Sequence, residues 1–164
     1  LIMGVASGGS SSGIAVATSA DVIVSVGVGS GVIGGQVSTG TFVIGDTDRV
    51  AGKANVAATF SFTTTAGGAL AIGSFITLAY PSGFFGTAAT PAVSMSGTST
   101  GSSAAPTSTS IVITTATAII AATSAVTVTL SGLAIGPVTA GSSNGIKFST
   151  SVDVTPLLEP GLAR

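Results

Sequence analysis

Few residues in this chain could do chemistry, and their positions limit what that chemistry could be. Gly45-Asp46-Thr47-Asp48-Arg49 sets two carboxylates two residues apart on an expected turn. A hard cation such as calcium takes several oxygen ligands, so the pair would make half a site that backbone carbonyls or Asp153 must complete. The alternative is a solvated Asx-type turn in which Arg49 answers the acids. A glycosidase-like carboxylate pair would need a cleft, and no second feature of the sequence supports one. Histidine and cysteine are absent, which removes Ser-His-Asp triads, thiolate nucleophiles and ordinary zinc or haem ligation. Gly73, Gly83 and Gly97 read as turn glycines, because no Gly-rich loop here is followed by Lys-Ser/Thr and a helix. Four Lys/Arg cannot neutralise a run of phosphates, so no nucleic-acid partner is expected. The expectation is a protein that is not an enzyme and has neither cofactor nor metal.

The composition points instead to a structural role. Of 164 residues, 24 are Ser, 24 Thr and 24 Gly, while charged residues make up only 5% against 45% hydrophobic. A mean hydropathy of +0.80 is too high for a disordered chain. The apolar residues are cut up by Gly, Ser and Thr, so no run of 18 or more could form a membrane span. One Tyr and seven Phe cannot supply the aromatic girdles of an outer-membrane barrel. A Ser/Thr/Gly surface with so little charge suits an extracellular or cell-surface location. The start at Leu1, without an initiator Met or secretory pattern, reads as a mature or trimmed product. No N-x-[ST] sequon occurs, and Ser96 to Ser110 has a mucin-like composition expected of a surface loop, plain or carrying O-glycans.

Positioning falls to β-strands. Alternation with period two marks Val56 to Thr64 (Val56, Ala58, Phe60, Phe62), Phe75 to Tyr80 (Ile76, Leu78, Tyr80), Ala92 to Ser96, Ser110 to Thr115, Val126 to Leu130 and Gly145 to Val154. A short strand near Phe42 to Ile44 opens the set. Gly67-Gly68, Pro81-Ser82-Gly83, Gly97 to Pro106 and Gly141 to Asn144 punctuate it. Thr115 to Ala125 is the one weak helix candidate, and its Thr and Ile content makes a turn or extended stretch an equal alternative. About seven strands at this spacing read as an all-β, antiparallel sandwich of immunoglobulin-like type over residues 41–154. Residues 1–40 form an N-terminal arm and 155–164 a C-terminal tail, in which Pro156 and Pro160 should prevent ladder pairing and Leu157 and Leu158 could dock. Phe84 and Phe85 either fold back over the sandwich end or form an exposed knob at a subunit interface.

An internal repeat is the most informative feature. Residues 1–22 align without gaps on residues 133–154, and eleven of the 22 positions are identical, Asp21 and Asp153 among them. Beyond the repeat, Val22, Val24, Val26 and Val28 would share one face of an extended strand, followed by a glycine-rich hinge at Gly29, Gly31, Gly34 and Gly35. A strand with four β-branched residues on one face must bury that face, and left unpaired it invites aggregation unless a partner takes it. Burying four Val contributes on the order of 6 kcal/mol, at roughly 1.5 kcal/mol each. An N-terminal strand pairing within its own domain is the bland alternative. Insertion into the open sheet edge of another copy is the reading preferred here.

The Ser/Thr/Gly-rich sandwich, the detached Val-rich strand and Ile76-Thr77-Leu78-Ala79-Tyr80-Pro81-Ser82-Gly83-Phe84-Phe85 together resemble subunits of pilus-like extracellular fibrils. The last stretch, with Val126 to Leu133, is also similar to repeat domains of large secreted microbial and algal proteins. The fibril resemblance implies immunoglobulin-like domains joined by donor-strand exchange into a homopolymeric helical filament. The expected function is therefore the structural protomer of such a fibre. The alternative is a tandem-repeat module of a large secreted adhesin or cell-wall protein, in which residues 1–22 belong to the preceding unit.

Overall fold

The computed structural model describes residues 14–28, 35–138 and 145–158. Nine strands run through it: β1 (Ser38–Ile44), β2 (Val56–Thr63), β3 (Phe75–Ala79), β4 (Ala92–Met95), β5 (Thr100–Ser103), β6 (Ser110–Ala116), β7 (Ala125–Leu133), β8 (Lys147–Thr150) and β9 (Leu157–Leu158). They form two antiparallel sheets, ordered β1-β2-β7-β4 and β5-β6-β3-β8-β9. The chain is thus an all-β sandwich. Among the described residues the only helical turn is a three-residue 3-10 segment, Asp46–Asp48, and no helix is long and apolar enough to cross a membrane.

Alternation decides which face each strand buries. Val56, Ala58, Phe60 and Phe62 of β2 point inward with Val126, Val128 and Leu130 of β7, and meet Ile76 and Leu78 of β3 and Phe148 of β8 from the other sheet. Phe60 and Phe148 stack across the core at 5.3 Å between ring centroids, a geometry that adds to area burial. The outer face of the first sheet carries hydroxyls in cross-strand pairs, Thr41 with Ser61 at 2.6 Å and Thr59 with Thr129 at 3.0 Å. Opposed polar pairs of this kind reinforce the register that the apolar face sets.

For Thr115 to Ala125 the turn or extended alternative holds and not the helix: Leu70 and Ile120 exchange both backbone hydrogen bonds at 2.9 Å, and Ile120 is buried by that crossing. Other expectations are corrected. The mucin-like stretch contains β5, held against β6 from Thr100↔Ala116 to Ser103↔Ile113. The tail pairs despite its prolines, because β9 is a two-residue edge strand that starts after Pro156. Its Leu157 packs against the core. The sandwich also begins before residue 41, since Val37 is buried and β1 opens at Ser38.

Candidate assembly interface

The arm is not one extended strand. Ile14 and Val28 exchange backbone hydrogen bonds at 3.1 and 2.8 Å, and Ser25 N–H donates to the Val16 carbonyl at 2.9 Å. Between them lies a turn in which Thr18 N–H donates to the Asp21 carbonyl (3.0 Å) and Asp21 N–H to Thr18 Oγ1 (2.8 Å). Residues 14–28 therefore make a hairpin, and the alternation of Val22, Val24, Val26 and Val28 is divided between its turn and its returning limb. All four valines are exposed, with Val26 the most open at 93%, and Ile14 and Val16 are exposed as well. Gly29, Gly31 and Gly34 of the expected hinge lie outside the described residues. Gly35 is fixed to the sandwich rather than hinged, its carbonyl accepting from Thr155 N–H at 3.1 Å beside a parallel Gln36–Thr155 bridge.

This hairpin copies the last hairpin of the sandwich. At the repeat offset of 132 residues, Thr18 and Asp21 correspond to Thr150 and Asp153. There Thr150 N–H donates to the Asp153 carbonyl at 3.0 Å and Asp153 N–H to Thr150 Oγ1 at 2.8 Å, the same two bonds at the same lengths. The limbs match too: Val16 faces Ser25 as Phe148 faces Leu157 in the β8–β9 pair. What differs is the surroundings. Phe148 and Thr150 are buried against β3 with Leu78 and Ile76 as register partners, whereas Val16 and Thr18 face solvent.

A latch fixes the sandwich's own hairpin. Asp153 is fully buried, and its carboxylate accepts from Thr65 N–H (3.0 Å) and from the Thr65 hydroxyl (2.6 Å). Gly68 makes room for it, since a Cβ there would run into Asp153 Oδ2 and the Thr65 nitrogen. Burying a carboxyl group costs little only when such donors meet its oxygens. The sequence marks Gly67-Gly68 only as a turn and Thr65 not at all, and the twice-used Thr-x-x-Asp spacing singles out Asp153 without naming its partners. Asp21, the second copy of the latch, is exposed.

The other candidate residues resolve differently. Phe85 is 1% exposed and Phe84 half-buried; Phe85 packs edge-to-face on Phe84 at 4.8 Å and on Tyr80 at 5.1 Å, while Phe84 lies tilted against Tyr80 at 6.1 Å. They fold over the sandwich end, so Phe85 is core and not an interface knob. Asp46 pairs with Arg49 at 3.5 Å and Asp48 with Lys53 at 2.7 Å, while Arg49 Nε and Lys53 Nζ also donate to the Ile44 and Thr47 carbonyls. The two acids thus face nearby cations, Arg49 in the turn and Lys53 a few residues beyond it, and Asp153 is engaged by Thr65. No group of three or more His, Cys, Asp or Glu occurs among the described residues. Protein-family models, curated proteins and solved structures give no match to this chain.

Proposed function

We propose that this protein is a structural building unit of an extracellular fibre, in which residues 14–28 of one copy engage the sandwich of another. One observation carries the reading: a hairpin that elsewhere in the chain belongs on a sandwich here stands exposed with seven large apolar residues, Ile14, Val16, Val22, Ile23, Val24, Val26 and Val28. Solvent-exposed apolar clusters of this kind mark association sites. The strand orders β1-β2-β7-β4 and β9-β8-β3 support an immunoglobulin-like description, with the β5–β6 hairpin added on the free side of β3. Low surface charge favours close contact between copies, because few ions need desolvating. Negative-stain electron microscopy of the full chain beside residues 36–164 tests the proposal. Fibres from the first and monomers from the second are expected; fibres from both would refute it.

A second reading is favoured by one contrast. Where the sandwich's hairpin carries Phe148, filling the core against Phe60, the arm carries the smaller Val16. The seat on this sandwich is shaped for phenylalanine, so the arm fits better on a sandwich shaped for valine. That describes a neighbouring unit of a tandem cell-surface protein whose last hairpin is residues 14–28. Monomers from both forms in the microscope would select it.

A further inference from the structure

We infer that the 14–28 hairpin seats on a second copy of this sandwich by taking the place of its β8–β9 hairpin along β3, with Asp21 latched on that copy's Thr65. The inference rests on the assembly reading and specifies its contact. It differs from insertion of a lone strand into an open groove, because the described sandwich has no strand missing: β3 already has β6 on one side and β8 on the other.

The repeat fixes the register of the exchange. Val16 would face Leu78 as Phe148 does, Ala17 would face Thr77 as Ser149 does, and Thr18 would face Ile76 as Thr150 does. The Asp21 carboxylate would then accept the Thr65 N–H and hydroxyl that Asp153 holds at 3.0 and 2.6 Å. No new turn has to form, since the arm already holds the Thr18–Asp21 bonds. The two hairpins compete for one seat, and the side chain at the Phe148/Val16 position sets the balance. Phe148 buries more apolar area than Val16 can, so a sandwich keeps its own hairpin until the neighbour's is raised in concentration or improved.

Full-length chain carrying Val16→Phe is the test, read by sedimentation equilibrium. Half-association should occur at about tenfold lower concentration than in the parent, the effect of roughly 1.4 kcal/mol of added burial. Asp21→Ala in the Val16→Phe background should abolish that gain, which a merely stickier arm would retain. Because the chain has no cysteine, Ala17→Cys with Thr77→Cys should give disulfide-linked species of twice the chain mass or more. No gain from Val16→Phe, or a gain indifferent to Asp21→Ala with no 17–77 link, overturns the inference. Removing residues 1–35 separates the two levels. If oligomers survive that deletion, the assembly reading itself falls. If they vanish while Asp21→Ala and the cysteine pair stay silent, the arm joins copies elsewhere and only the seat on β3 is wrong.

Discussion

Two aspartates of one motif have opposite environments, and that contrast yields a sharp expectation. Asp153→Ala strips a buried carboxylate from both Thr65 donors and should cost about 3 kcal/mol in urea unfolding. Asp21→Ala, on an exposed carboxylate, should change the stability of the monomer by less than about 0.5 kcal/mol. Equal losses would show that the two copies share more than local geometry. Tyr80 supplies a pH signature. Burial pushes its phenol up to about 12, and its hydroxyl donates to the Thr107 carbonyl at 3.0 Å. In the unfolded chain the phenol ionises near pH 10. The folded state therefore gains stability that is fully present below about pH 10 and is lost as pH rises through 12. As the chain's single tyrosine and without tryptophan beside it, Tyr80 can be followed by ultraviolet titration; a midpoint near 10 in the folded protein would contradict its burial.

At the scale of elements, the aromatic and β-branched strands were legible and the small-residue ones were not. β2, β3, β6, β7 and β8 announce themselves because alternate positions carry Phe, Ile, Leu or Val that must share a face. β5, Thr-Gly-Ser-Ser, carries no alternation; β6 and the close approach at Gly101, where a Cβ would lie 2.9 Å from Met95 Sδ, make it a strand. β9 hides behind proline, which excludes a central strand but not an edge. The arm was legible as a repeat while its shape was not, because period-two valines cannot reveal the Thr18–Asp21 turn that divides them. The latch was illegible for a similar reason: Thr65 and Gly68 lie 88 and 85 residues from Asp153. The Phe84–Phe85 loop depends on another close approach, with Gly136 N–H donating to the Phe84 carbonyl at 2.9 Å and its Cα against the Gly83 carbonyl. Gly136→Ala should force that loop away and lower stability by about 2 kcal/mol or more. An unchanged melting temperature would mean that the loop does not hold the sandwich end closed.

At the scale of the whole molecule, sequence repeat, local geometry and exposed apolar surface point to one arrangement. The sandwich has its own terminal hairpin, the arm holds a second copy of it, and that copy has no sandwich of its own among the described residues. In the proposed assembly, residues 14–28 sit on a different sandwich from the one they precede. Hydrogen exchange of the full chain, read peptide by peptide from dilute to concentrated solution, tests it most directly. The amides of Val16, Thr18, Asp21 and Ser25 should become protected as concentration rises and approach the protection of β8. Exchange of these amides at unstructured-peptide rates at every concentration, with β8 protected throughout, would contradict the claim.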